Sequence, residues 1–343
     1  MRKKASAHSL KNAMRNLKAP EADQRDKIMA DYIDPQSVER VTSIGAGPIG
    51  AGWAASFLAR GYKVSCYIHD DSEEASLRAL IENAWTSLAS LGLSAGATLA
   101  NLSCSSDLEL AVDAAQFIQE SAPENLQLKQ DLYRKLGEIV PANVVIASST
   151  SGLPMTDIQA SCSSPQRTVV GHPFNPPYLL PLVEIVAGKE TSPEALEWLV
   201  DFYKSAGKAP LVLKKEIPGF IATRLQEAIW REALHMIAND EASVEDIDFA
   251  IVNGPGPRWA MMGPCLTYHI GGGEGGMEYC LEQFGPALKL PWSRMDAPEL
   301  TEDLKNRLIE GSRRLAAERS YEILNRQRDA GLVAISKALS GHG

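Results

Sequence analysis

Two constellations of residues in this chain are typed and spaced for chemistry. The first is Thr42-Ser43-Ile44-Gly45-Ala46-Gly47-Pro48-Ile49-Gly50, an apolar strand running into Gly-x-Gly-x-x-Gly and then into the helical run Ala51 to Arg60. Gly45 allows a tight turn, Gly47 lets backbone approach a pyrophosphate, and Gly50 lets the helix pack close to the sheet. Pro48 and Ile49 open that helix, whose N-terminal dipole faces the anion. Spaced glycines alone are weak evidence. The strand before, the helix after and a second strand at Lys63 to Ile68 complete a βαβ unit, which points to a bound dinucleotide.

The second constellation is His172 with Glu184. Oxidising a secondary alcohol needs a base for the hydroxyl proton while hydride leaves the same carbon, and an imidazole suits that task. His172 follows the apolar strand Thr168 to Val170, where the carboxyl ends of parallel strands face a ligand crevice. Glu184 closes the gap: a carboxylate inside the apolar run Leu182-Val183-Glu184-Ile185-Val186 needs a partner when buried, and the imidazole is one.

Cofactor type is read from the end of the second strand, where a carboxylate usually meets the adenosine ribose about 20 residues past the glycines. The expected position is Ile68, followed by His69, Asp70, Asp71, Ser72, Glu73 and Glu74. Two readings of Asp70 stand: ribose ligand, by a slightly longer strand, or cap of the next helix together with Asp71 and Ser72. Either way this acidic run repels a 2′-phosphate and has no Lys or Arg close in sequence, so NAD is expected rather than NADP.

These residues need a scaffold. Helical periodicity from Ser72 to Leu91 is followed by a loop at Gly92 to Gly96. Strands at Phe117-Ile118, Val144 to Ser148, Thr168 to Val170, Leu182 to Val186 and Pro210 to Leu213 then alternate with helices at Leu126 to Val140 and Pro193 to Ala206. Strict alternation predicts an α/β, doubly wound, mainly parallel sheet covered on both faces. From Pro218 on, Phe220 to Ala238, Val244 to Val252 and Asp303 to Ala338 are helical in period with no clear strand. The expected organisation is a basic extension over 1–38, a Rossmann domain over 39–217 and an all-helical domain for substrate and dimerisation over 218–343. The first 18 residues carry six Lys or Arg and no acid. They read as a transit segment, a basic disordered extension or an expression leftover.

Composition sets limits. The chain has 343 residues, 45% hydrophobic and 22% charged, enough for about two ordinary globular domains. A net charge of −9 argues against nucleic acid or an acidic membrane as general partner. No apolar run approaches the ~20 residues of a membrane span. Five cysteines (Cys66, Cys104, Cys162, Cys265, Cys280) without a Cys-x-x-Cys pair point to free thiols in a reducing cytoplasm, and no metal is expected.

Four segments, in order, resemble the 3-hydroxyacyl-CoA dehydrogenase family: Gln119-Glu120-Ser121-Ala122-Pro123-Glu124-Asn125-Leu126-Gln127-Leu128-Lys129, Ala147 to Leu153, Gly171-His172-Pro173-Phe174-Asn175-Pro176 onward to Glu184, and Ile217 to Leu225. The resemblance covers about residues 39–290. It implies that Ser151 hydrogen-bonds the reacting oxygen and that Glu124 and Lys129 lie near the cofactor; a solvated helix start is the other reading of these two. Where the family pattern Gly-Phe-Ile-x-Asn-Arg-Leu has Asn, this chain has Thr223, a shorter donor. The run Arg258 to Pro264, then Leu266 to Met277 and Phe284 to Lys289, resembles the carnitine 3-dehydrogenase subgroup. That likeness implies a hydroxy acid bearing a carboxylate and a trimethylammonium group, for which Arg258, Trp259 and Tyr268 offer a guanidinium and aromatic faces, unless they are helical core. A homodimer is implied as well. L-gulonate 3-dehydrogenase or 3-hydroxyacyl-CoA dehydrogenase activity, and a non-catalytic NAD-binding relative, are the alternatives.

Overall fold

The computed structural model describes residues 32–340. Strand β1 (Arg40–Ile44) passes through the glycine turn into helix α1 (Pro48–Ala59), and β2 (Lys63–Tyr67) and α2 (Glu74–Leu91) follow. Next come β3 (Leu102–Ser105), α3 (Leu108–Val112), β4 (Phe117–Glu120), α4 (Leu126–Ile139), β5 (Val145–Ser148) and α5 (Met155–Ile158). β6 (Thr168–Pro173), β7 (Leu182–Ala187), α6 (Pro193–Ser205) and β8 (Ala209–Val212) complete the sheet. Its order is β3-β2-β1-β4-β5-β6-β7-β8. The order in which strands are added therefore reverses between the parallel neighbours β1 and β4, opening a crevice at the carboxyl ends of these two strands.

Successive strand residues feed two separate cores, as a period of two requires. Val41, Phe117, Val145, Ala147 and Ile185 face one core, packed with Trp53, Phe57, Trp198 and Phe202. Ile44, Ile118, Ile146 and Val186 face the other, with Tyr133, Leu136 and Met155. Helix α1 is buried almost all round from Gly50 to Ala59, so its sequence reads apolar on every face rather than amphipathic. Arg167 is also buried; its guanidinium donates to the carbonyls of Leu136, Val140 and Val144 and so satisfies the carboxyl end of α4.

Two departures from the sequence reading concern the sheet. Strict strand–helix alternation fails between β6 and β7, which pair antiparallel. The connection 174–181 contains Pro176, Pro177 and Pro181, cannot form a crossover helix, and is too short to return a parallel strand. β3 has no counterpart among the expected strands. Leu-Ser-Cys-Ser buries only its leucine, because it is an edge strand that pairs with β2 alone.

The basic run at the chain start lies outside the described residues. Residues 32–38, assigned by sequence to that extension, pack against α6: Trp198 Nε1 donates to the Ile33 carbonyl at 2.5 Å, and Val38 is buried. The chain divides between Ile221 and Ala222 into two compact units. The second has helices as its only regular elements among the described residues, with α7 (Ala222–Ala238), α8 (Val244–Asn253), α9 (Pro255–Trp259), α10 (Pro264–Gly271), α11 (Gly276–Phe284), α12 (Glu302–Ala316) and α13 (Tyr321–Ser340). Ser243 and Asp246 form a capping box at the start of α8. Ala317, left-handed, ends α12 and breaks the single expected helix Asp303 to Ala338.

Candidate active site

The glycine turn is shaped by its own backbone. Gly45 has φ +111°, and a Cβ there would lie 2.6 Å from the Ser121 carbonyl oxygen; a Cβ on Gly50 would lie 2.1 Å from the Gly45 carbonyl oxygen. Side chains are excluded at both. A Cβ on Gly47 would meet no protein atom within 4 Å, so protein packing does not demand glycine at that position. Close approach of a ligand to this backbone explains it, and Gly47 is the residue that opens α1, with Pro48 and Ile49 in its first turn. The turn fits a pyrophosphate.

At the end of β2, Ile68 is buried in the core and offers no polar group. Asp70 is exposed; its carboxylate accepts the Ser72 amide at 2.9 Å and caps the short turn Asp71–Glu73. These hydrogen bonds hold the Asp70 carboxyl below its ordinary range. The capping geometry is present; Glu73 accepts the His69 amide at 2.9 Å, and Arg78, one turn on, pairs with Glu74 at 2.7 Å, so the expectation that no Lys or Arg lies close to this run does not hold for Glu74.

Glu120, Glu124 and Lys129 form a layered device beneath the next loops. Lys129 is buried: its ammonium donates to Glu120 Oε1 at 2.6 Å and to the Ala122 carbonyl at 3.1 Å, and lies 3.8 Å from Glu124. Glu120, wholly buried, also accepts from Ser148 Oγ and the Ala122 amide, both at 2.6 Å. A solvated helix start does not describe Lys129. Glu124 Oε1 accepts Thr150 Oγ1, the Ser151 amide and the Gly152 amide at 2.6, 3.0 and 3.1 Å, clamping the loop after β5. The Ser151 residue itself is exposed. Glu120 is absent from the expected site residues, although the argument that singled out Glu184, a carboxylate that needs a partner when its strand is buried, applies also to the last residue of Phe117-Ile118-Gln119-Glu120.

His172 and Glu184 stand directly opposite each other in the β6–β7 register. The antiparallel hairpin that breaks the alternation is what joins them, since opposed residues project to one face. His172 Nδ1 lies 3.0 Å from Glu184 Oε2, and Glu184 Oε1 accepts the Ile221 amide at 2.9 Å. The carboxylate is fully buried and the imidazole nearly so. With Nδ1 donating to the carboxylate, Nε2 keeps its lone pair and can accept a proton. Phe174 and Phe220 rings flank the imidazole at 5.6 and 5.4 Å. Phe220 is buried at φ 52°, a left-handed conformation strained for a bulky residue, and the turn it belongs to delivers the Ile221 amide to Glu184. Sequence pattern misses Phe220 because its role depends on backbone conformation.

In the second unit, Thr223 is half-buried in the first turn of α7. Arg258 and Trp259 lie on α9 and Tyr268 on α10, all exposed within the chain; Trp259 and Tyr268 keep 41% and 60% of their surface, so they are not core of the helical unit. His269 accepts the Met277 amide at Nδ1, and a Cβ on Gly276 would strike its ring, which accounts for glycine in Gly-Gly-Glu-Gly-Gly-Met. Among the described residues no group of three or more His, Cys, Asp or Glu is arranged to hold a metal, and no helix is long and apolar enough to cross a membrane.

A mostly parallel sheet with a glycine cradle at its switch point and a His–Glu pair at the carboxyl end of β6 defines a dinucleotide-dependent oxidoreductase. Residues 40–217 match the family model described as 3-hydroxyacyl-CoA dehydrogenase, NAD binding domain, and residues 219–307 match 3-hydroxyacyl-CoA dehydrogenase, C-terminal domain. The chain belongs to the 3-hydroxyacyl-CoA dehydrogenase family. It is an NAD-dependent 3-hydroxy acid dehydrogenase. It is 53% identical over 304 residues to the L-carnitine dehydrogenase of Streptomyces coelicolor, covering 89% of this chain and 96% of that one. A protein of the same name from a Pseudomonas species is 48% identical, covering 88% and 94%. Among solved structures, the NAD-dependent 5-formyl-3-hydroxy-2-methylpyridine 4-carboxylic acid 5-dehydrogenase matches with TM-score 0.75 and 28% identity, covering 89% of this chain and 99% of that one.

Proposed function

We propose that this enzyme oxidises the 3-hydroxyl of L-carnitine to 3-dehydrocarnitine. The observation that carries the substrate is the 53% identity, over nearly the whole of both chains, to a protein named for that activity. Bound nicotinamide supplies a hydride acceptor. His172 takes the hydroxyl proton at Nε2, while Glu184, held by the Ile221 amide, orients the ring and offsets the imidazolium charge. Glu124 positions the Ser151 loop so that the Ser151 hydroxyl donates to the reacting oxygen; Thr223 supplies a second, shorter donor. Lys129, neutralised by Glu120, keeps the loop after β4 in place beside the cofactor.

Carnitine's trimethylammonium group has no N–H, so recognition rests on aromatic faces, worth about 0.5–2 kcal/mol per ring. Trp259 and Tyr268 are exposed and suited to that, and Arg258 to the carboxylate. Trp259→Ala is expected to raise KM for L-carnitine about tenfold, with a smaller effect on the isostere bearing tert-butyl in place of trimethylammonium. Equal losses on both substrates would reduce the ring to packing and remove the cation-binding role. Exposed apolar side chains on α7 and α8, such as Leu225, Trp230, Phe249 and Val252, support a homodimer formed through the helical unit. The five free cysteines support the cytoplasm as its compartment.

A further inference from the structure

Behind the glycine turn runs a chain of polar side chains whose hydrogens all point one way. Tyr203 Oη donates to Gln119 Oε1 at 2.5 Å, and Gln119 Nε2 faces the Gly171 carbonyl at 3.3 Å and Ser149 Oγ at 2.8 Å. A carbonyl only accepts, so its neighbours fix the amide in this orientation. Trp53 Nε1, which only donates, reaches the same Ser149 Oγ at 3.1 Å. Both lone pairs of Ser149 are thereby used. Its single hydrogen goes to Ser121 Oγ, 2.8 Å away. Ser121 then has its own hydrogen to give, and no acceptor for it among the described residues.

Ser121 follows β4 directly and lies against the glycine turn: its carbonyl oxygen would touch a Cβ on Gly45, and its own Cβ lies 3.6 Å from where a Cβ on Gly50 would be. It stands across β1 from β2, whose end serves the adenosine ribose in this fold, and on the side of β5 and β6, which carries His172. Hydride transfer requires the nicotinamide half of the cofactor on that side. We propose that Ser121 Oγ donates a hydrogen bond to an oxygen of the nicotinamide half of NAD, its ribose or the adjoining phosphate. Trp53 and Gln119 act through Ser149 to keep Ser121 a donor. Because Trp53, Gln119 and Tyr203 are fully buried, this polarity is set before the cofactor arrives, and no side chain must reorient on binding.

The inference rests on the binding of NAD, and calorimetric titration of the whole chain with NAD and with AMP separates the two. Ser121→Ala is expected to weaken NAD about three- to twentyfold, as loss of one hydrogen bond implies, with AMP affinity and melting temperature unchanged. Ser149→Ala is expected to weaken NAD less than Ser121→Ala does, and to add nothing when the two are combined. Unchanged NAD affinity in Ser121→Ala, or equal losses on NAD and AMP, would overturn the contact; additive losses in the double variant would overturn the relay. No binding of NAD by the unaltered protein would remove the cofactor reading itself.

Discussion

The proton step proposed for His172 can be separated from binding by replacing that residue. His172→Ala is expected to lower kcat by about 10²–10⁴ with NAD affinity retained, because the cradle at Gly45 to Gly50 does not involve the imidazole. Stopped-flow or steady-state rates beside an NAD titration check this, and retained turnover would reassign the base. A second residue answers to pH. Lys208 donates to the Pro177 carbonyl and lies 5.2 Å from the Trp53 ring centre; burial, and then Arg60, push its ammonium down to about 7. Between that value and the ordinary 10.5, the unfolded chain holds a proton that the folded chain does not. Stability therefore rises with pH across this window. The melting temperature of the wild type relative to Lys208→Met is expected to climb from pH 7 to 9.5, and a flat difference would refute the shift. At this scale the sequence was informative wherever residue type alone implied a partner, as for His172 and Glu184. It was silent on Ser149 and Phe220, whose roles come from lone-pair counting and a left-handed φ that only coordinates reveal.

Elements place those residues, and the hairpin β6–β7 is the decisive one. Its antiparallel register sets His172 against Glu184, within a sheet expected to be mainly parallel. The prolines in the connection preclude a crossover helix, and strand direction follows from them only when the connection length is considered as well. β3 escaped for another reason, since a half-exposed edge strand of Leu-Ser-Cys-Ser has neither an apolar run nor clean alternation. The glycine turn and α1 were legible because each glycine has a physical reason, φ and steric contact at Gly45, steric contact at Gly50, and room for a ligand at the helix start at Gly47. Arg167 shows what sequence hides: a cation that ends a helix. Arg167→Met is expected to destabilise the first unit by about 2–4 kcal/mol, since the carbonyls closing α4 lose their buried donors; urea unfolding measures it, and a change within about 0.5 kcal/mol would contradict that role. Glu124→Gln is expected to lower kcat while sparing the melting temperature, because it loosens the loop 150–152 rather than the core.

The whole molecule comprises one α/β unit, matched to an NAD-binding domain, and one helical unit, for which substrate binding and assembly are proposed. The proposed homodimer would have twice the 37.2 kDa mass of the chain; light scattering at micromolar protein is expected to find that mass, and a monomer would leave the exposed apolar side chains of α7 and α8 unexplained. If the acidic stretch Asp70 to Glu74 sets cofactor choice as proposed, NADP is expected to bind more weakly than NAD in a competitive titration, and equal affinity would cancel the charge argument. Asp70→Ala distinguishes its two roles: weaker NAD by about 1–3 kcal/mol marks a ribose ligand, unchanged affinity a cap alone. The most direct test of the central claim is the initial rate of NAD reduction, followed at 340 nm, with L-carnitine, L-gulonate and 3-hydroxybutyryl-CoA offered separately to the purified enzyme. The account predicts rapid reduction with L-carnitine and at least tenfold lower kcat/KM with the other two. Turnover of gulonate or the thioester with none of L-carnitine would contradict it.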